Sequence, residues 1–255
     1  MTDRPTVQVE DLTLQIGGAV IVDGVSFSIQ PGELVSIIGP NGAGKTSLFN
    51  LLSGLYRPTR GRIDVLGHDV TADPPFRRAQ RGVGRTFQTS NLFEHLSVLE
   101  NVRLGCRARE GGSLNPWRRA DADKATIERS MRALETVEMA PLAKLPAGLL
   151  PHGTKRRLEL AILLAGRFDV LLLDEPTSGL SAEHVPDMIE VIRRLHRDES
   201  RTVLMVEHRM ELVVGISDRI AVMHRGRLLT IDTPRRVVDN PVVQEAYLGT
   251  GHTTA

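Results

Sequence analysis

Residues Gly39 to Thr46 read G-P-N-G-A-G-K-T, a complete G-x-x-x-x-G-K-[S/T] pattern, between the apolar run Leu34, Val35, Ile37, Ile38 and a helix-like stretch from Ser47 to Leu52. A strand that ends in a glycine-rich turn leaves several backbone N–H groups free to converge on one anion, and the helix that follows adds its positive N-terminal end. Polyphosphate is the ligand this chemistry selects. Gly39, Pro40, Asn41, Gly42, Ala43, Gly44, Lys45, Thr46 and Ser47 are the expected contacts, with Lys45 reaching the outer phosphates and the Thr46 hydroxyl serving a magnesium ion shared with them.

Asp174 and Glu175 follow the apolar run Val170 to Leu173 and precede Pro176. Two carboxylates at the end of a buried strand are costly unless a positive charge meets them. Asp174 is therefore expected to order the magnesium shell and Glu175 to polarise a water for attack on a γ-phosphate. Capping of the next helix by both carboxylates is the alternative, and the two roles are compatible. His208 follows the next apolar run in Val206-Glu207-His208, at the sheet edge where open α/β folds bind ligands, so its imidazole is a candidate for the γ-phosphate or the attacking water. Gln88, in Arg85-Thr86-Phe87-Gln88, carries an amide that can ligate magnesium or orient water without fixing a proton state. On spacing alone an ordinary surface glutamine in a loop is the better account of it.

The elements that must position these groups are legible in the periodicity. Asp169 to Leu173, Thr202 to Val206 and the strand before the phosphate loop are continuous apolar runs, of the kind buried on both faces in a parallel central sheet. Val185, Met188, Ile189, Ile192 and Leu195 keep helical spacing between two of them, which makes a β-α-β crossover. Val7 to Val9, Leu12 to Ile16, Val20 to Val22 and Val25 to Ile29, broken by Gly17-Gly18 and Asp23-Gly24, predict an antiparallel edge sheet of short strands. Residues Asn91 to Leu164 predict helices around Ala125 to Val137 and Lys155 to Leu164, a Gly/Pro/Trp loop from Gly111 to Trp117, and no strand. A hairpin across Arg225-Gly226-Arg227 and a short helix near Val242 to Leu248 close the chain. The fold class is thus α/β with an inserted helical region.

Composition narrows the function. A chain of 255 residues with 41% hydrophobic content can bury a sizeable core. The net charge of +1, from 32 basic and 31 acidic residues, offers no global excess to drive nucleic-acid binding. One cysteine, Cys106, excludes an internal disulfide framework and fits a reducing compartment. No window approaches eighteen uninterrupted apolar residues, so a cytoplasmic chain that meets a membrane only through a partner is expected.

These pieces in this order resemble the ATP-binding subunit of an ABC transporter: the phosphate loop, the glutamine loop at Gln88, a signature segment, Val170 to Thr177 and the switch histidine in Glu207-His208. Arg85-Thr86-Phe87-Gln88 with Leu92-Phe93 and Val98 to Val102, Gly215 to Ile220 after the histidine, and Asn240-Pro241 with Ala246-Tyr247-Leu248-Gly249 resemble the branched-chain amino acid branch, whose relatives also import amides or urea. The resemblance implies a P-loop NTPase core, residues 1–88 and 165–255, with a helical subdomain of about 89–164 carrying the signature, all within one ATP-binding domain of residues 1–255. It implies ATP and Mg²⁺ as ligands, with Glu175, His208 and Gln88 catalytic and Thr46, Gln88 and Asp174 around the metal. It also implies a sandwich dimer with a second ATP-binding subunit, identical or related, on two membrane-spanning permease subunits fed by a periplasmic or extracellular substrate-binding protein, at the cytoplasmic face of the membrane. Thr89 to Val102 would then lie against the permease.

Three departures qualify it. The family's L-S-G-G-Q or L-S-Y-G-Q signature aligns with Leu150, Pro151, His152, Gly153 and Thr154, so the serine that meets the partner's nucleotide is replaced by a proline without hydroxyl or N–H. Loss of one charge-assisted hydrogen bond, worth about 1.5–3 kcal/mol, weakens nucleotide-driven dimerisation, while later N–H groups of the same helix, His152 and Thr154 offer partial compensation. Ile16 stands where an aromatic residue usually stacks on adenine, and Ser181 where an acidic residue or asparagine is usual. An active importer ATPase and a nucleotide-dependent switch subunit with low intrinsic turnover both fit this sequence.

Overall fold

The computed structural model describes residues 4–86, 92–110, 116–197 and 201–248. Strands β1 (Val7–Ile16) and β2 (Ala19–Ile29) lead into β3 (Leu34–Ile38), the phosphate loop and helix α1 (Lys45–Ser53). Next come β4 (Arg60–Val65), β5 (His68–Asp69), α2 (Pro75–Gln80) and β6 (Val83–Arg85), and then three helices, α3 (Val98–Glu110), α4 (Pro116–Thr136) and α5 (His152–Gly166). The remainder alternates: β7 (Val170–Asp174), α6 (Val185–Arg197), β8 (Thr202–Val206), α7 (Met210–Ile216), β9 (Arg219–His224), β10 (Arg227–Asp232), α8 (Pro234–Val238) and α9 (Pro241–Leu248).

Two sheets result. The first, in the order β2-β1-β4-β5, is antiparallel. The second, β10-β9-β3-β8-β7-β6, is parallel from β9 to β6, with β10 returning antiparallel. All five positions of β3, β7 and β8 are buried, the condition under which a strand needs no polar face. Alternation along β7 divides its side chains between two cores. Val170 and Leu172 join the cluster formed by α1 and the antiparallel sheet, whereas Leu171 and Leu173 join the cluster of α3, α4, α5 and α6. Each apolar side chain fully buried this way contributes about 1.5–3 kcal/mol before chain entropy is counted.

The edge sheet differs from the expectation of short strands. Asp23-Gly24 does not break the chain: β2 runs through it, and the ladder with β1 continues by shifting register around Leu12↔Val25 and Leu14↔Val22. The irregularity absorbs the left-handed Asp11, at φ 47°, and Gly24, whose N–H donates to Thr13 Oγ1 at 3.2 Å. Pro116 and Trp117 lie inside α4, so the expected loop ends earlier; residues 111–115 lie outside the described residues. Helix α3 was not expected, although Val98, Val102 and Cys106 recur every four residues and are buried. Its glycine hides a close approach: a Cβ on Gly105 would sit 2.6 Å from Ile162 Cγ2, so α3 and α5 pack nearly backbone to backbone there. Strands β4 and β5 and helix α2 were also unassigned.

Candidate active site

Parallel pairing puts the ends of β3, β7 and β8 at one edge. Ile37 and Asp174 are both in register with Val206, so the phosphate loop, Glu175 and His208 emerge side by side. The loop closes because two glycines accept what no other residue can. Gly39 has φ 153° and a Cβ there would stand 2.2 Å from the Met223 carbonyl oxygen; Gly44 caps α1 at φ 95°, and its Cβ would stand 2.8 Å from Ile21 O. No side chain caps α1, so its first N–H groups face the loop. Lys45 is buried and donates through Nζ to Gly39 O at 2.7 Å and Pro40 O at 2.9 Å. Burial pushes its pKa down, and the nearby charges of Glu175 and Asp174 oppose that shift. Thr46 is exposed at the start of α1.

Asp174 is 1% exposed. Its Oδ2 accepts a hydrogen bond from Arg85 Nη2 at 3.0 Å, its backbone N–H donates to Thr86 Oγ1 at 3.0 Å, and its Oδ1 is buried with no hydrogen-bond partner. Burial raises its pKa and the Arg85 guanidinium works against that rise. Glu175 adopts φ 49°, a strained left-handed conformation for a residue with a Cβ, held by its N–H bond to Val206 O at 3.0 Å. That turn aims its carboxylate at His208, whose Nε2 lies 2.5 Å from Glu175 Oε1. Neither carboxylate caps the following helical turn, where Ser181 is the cap residue.

The sequence reading gave no role to Glu207. It is buried, and its carboxylate accepts from the Thr177 N–H at 3.0 Å, the Thr177 hydroxyl at 2.5 Å and the His208 N–H at 3.0 Å. The loop after β7 is thereby tied to the end of β8. Arg85 was likewise read only as a neighbour of Gln88. For Glu207 the available signal was a charge at the end of the apolar run Thr202 to Val206, whereas Arg85 follows Gly82-Val83-Gly84 and carries no such signal.

Other expected residues lie apart. Pro151 caps α5 without a side-chain cap bond, and His152 and Gly153 begin that helix against the loop after β7, where a Cβ on Gly179 would touch the His152 ring and one on Gly153 would touch Leu180. Among the described residues no hydrogen bond joins Pro151, His152, Gly153 or Thr154 to the phosphate loop. Ile16 is half-exposed at the end of β1. Gln88 lies outside the described residues.

Comparison with known proteins decides the family. The ABC transporter family model matches residues 22–178, more than half of the chain, and a model described as branched-chain amino acid ATP-binding cassette transporter matches residues 227–253. The chain belongs to the ABC transporter family. Over 253 residues it is 39% identical to the high-affinity branched-chain amino acid transport ATP-binding protein BraF of Pseudomonas aeruginosa and 37% identical to LivG of Escherichia coli K12, which bears the same description, in each case covering 96% of this chain and 98% of the relative. Among solved structures, the ADP conformation of MJ1267, an ATP-binding cassette of an ABC transporter, superposes with a TM-score of 0.83 at 27% identity, covering 96% of this chain and 99% of that one. The fold is accordingly the P-loop ABC cassette. No helix among the described residues is long and apolar enough to cross a membrane.

Proposed function

We propose that this ABC cassette is the ATP-hydrolysing subunit of an importer for branched-chain amino acids or related small polar solutes. The observation that carries the reading is the register that sets Ile37, just before the phosphate loop, and Asp174 both opposite Val206, so that the carboxylate pair at the end of β7 emerges at the same sheet edge as the phosphate loop. The names of BraF and LivG support the solute class.

In this reading the N–H groups of residues 39–46 cradle the polyphosphate, and Lys45 exchanges the carbonyls of Gly39 and Pro40 for the outer phosphates. The partnerless buried Oδ1 of Asp174 fits a cation, with the Thr46 hydroxyl and the Gln88 amide completing the protein's share of a magnesium site. A magnesium ion held there would supply positive charge to offset that of the phosphates. Glu175 takes the proton of the attacking water, and His208 holds that carboxylate in place through its Nε2. A second ATP-binding subunit would meet this nucleotide with the N-terminal turn of its own α5, and the region beginning at Thr89 would face the permease. The assembly would sit on the cytoplasmic face of the membrane, supplied by a binding protein.

Reconstitution in vesicles with its permease subunits, partner ATPase and binding protein tests this. ATP-dependent uptake of leucine, isoleucine or valine, or of an amide or urea, is expected, and ATP turnover without uptake of any of these would contradict it.

A further inference from the structure

Two arginines, the buried Arg78 and the partly buried Arg85, close the C-terminal end of α1, and Arg85 reaches further. Arg78 donates through Nη1 to Leu51 O at 2.6 Å and Leu52 O at 2.7 Å, with further bonds to the carbonyls of Asp73 and Thr71. The contacts to Leu51 and Leu52 reach carbonyls in the last turn of α1, where a helix end leaves such groups without intrahelical partners. Arg85 also grips α1, through Phe49 O at 3.2 Å, Asn50 Oδ1 at 2.8 Å and Ser53 Oγ at 2.6 Å, and its guanidinium lies over the Phe49 ring at 5.9 Å. Its other nitrogen, Nη2, reaches Asp174 Oδ2.

From this geometry we infer that Arg85 is a positioning residue for metal-assisted nucleotide binding, one that occupies Oδ2 of Asp174 and leaves Oδ1 as the single oxygen offered to the cation. The inference rests on the reading of Asp174 as the metal carboxylate. A carboxylate has two equivalent oxygens and rotates freely unless one is held. Here the planar guanidinium is itself fixed by three acceptors on α1, so it has little freedom to follow Asp174 if the side chain turns. The backbone is fixed as well, because Thr86, the residue after Arg85, accepts the Asp174 N–H. The last residue of β6, Arg85, and the residue after it, Thr86, thus hold the Asp174 side chain and main chain from consecutive positions. The helix that carries Lys45 and Thr46 is anchored at its far end by the same guanidinium.

The test compares Arg85→Lys with Arg78→Lys, a change that loosens α1 without touching Asp174. Affinity for ADP is measured by calorimetry without divalent cation and across a magnesium titration. Arg85→Lys is expected to keep the cation-free affinity within about twofold and to raise the magnesium concentration for half-maximal enhancement by tenfold or more, since one ammonium cannot reproduce the forked contacts. Arg78→Lys is expected to lower the unfolding temperature without moving the magnesium requirement. Equal magnesium dependence in Arg85→Lys and the wild type would overturn the inference, as would an equal shift in both variants. A wild type whose ADP affinity ignores magnesium would instead overturn the metal-site reading beneath it. Should Arg85→Lys not fold, Arg85→Gln is read in the same way, and a crystal structure of the wild type with magnesium and ADP decides independently: Oδ2 still bonded to Arg85 supports the inference, and Oδ2 released from it refutes it.

Discussion

His208 Nε2 and Glu175 Oε1 are 2.5 Å apart, although they come from the ends of two different strands and are 33 residues apart in sequence. An ionised carboxylate can only accept, so opposite ionised Glu175 the imidazole presents Nε2–H. Removing the ring frees the carboxylate to rotate into solvent. His208→Ala is expected to keep ATP affinity within about twofold and to lower kcat by about 10²-fold, the lower end of the range for acid–base groups. His208→Gln, which retains a neutral donor, should recover part of the loss. Steady-state kinetics with a binding measurement on each variant checks this, and an unchanged kcat would remove His208 from the mechanism.

Glu207 makes a related prediction with an internal control. Its two oxygens meet three donors, so Glu207→Gln turns an NH₂ group toward at least one N–H or hydroxyl. A buried donor left unsatisfied costs about 1–3 kcal/mol, which for a chain of this size lowers Tm by roughly 2–4 °C per kcal/mol. Because His208 begins at that contact, kcat should fall while KM for ATP holds. Thermal unfolding and kinetics read the two effects separately, and a variant that loses stability but keeps its full kcat would make Glu207 a purely structural residue.

Much of the core was legible in the sequence because burial on both faces demands uninterrupted apolar runs. The strands at Leu34, Val170 and Thr202 need no tertiary knowledge, and the hairpin turn at Arg225-Gly226 is equally local. The long β1–β2 hairpin was not legible, since its register shifts place polar and glycine residues inside a continuous ladder. Helix α3 carries Gly105, a weak helix former whose place is explained only by the close approach of Ile162. The site divides similarly. Candidate ligands stand out by type and spacing, whereas the groups that orient them do not: Arg85 and Asp174 are 89 residues apart, and nothing local in either segment names the other.

Gly39→Ala tests the steric basis of the phosphate loop. A Cβ 2.2 Å from the Met223 carbonyl oxygen cannot be accommodated by a side-chain rotation, because the obstacle is backbone. Either the loop or β9 must move. ATP affinity is expected to fall by at least about tenfold, the equivalent of 1.4 kcal/mol, with a measurable loss of Tm. Calorimetry showing wild-type affinity would place the loop's rigidity outside the binding reaction.

A pH prediction attaches to the exposed pair Lys155–Glu94, where Nζ lies 2.7 Å from Oε1 and links α5 to the loop before α3. The hydrogen bond and charge of Lys155 hold the Glu94 pKa below the ordinary glutamate value. A carboxyl depressed in the folded state contributes its stabilisation above the unfolded pKa and loses it as pH falls through the folded one. Carbon-detected NMR titration should show Glu94 ionising at lower pH than an isolated glutamate, and Lys155→Ala should move that midpoint upward. The pair is solvent-exposed, so global unfolding should scarcely respond. An unmoved midpoint in Lys155→Ala would show that another group sets it.

The account centres on Glu175 as the base that activates water at the edge shared by Lys45 and Asp174. Single-turnover hydrolysis of γ-labelled ATP by Glu175→Gln, with ATP binding measured on the same preparation, tests it most directly. Binding should persist and phosphate release should fall by about 10²- to 10⁴-fold. Release at the wild-type rate from the bound nucleotide would contradict the account.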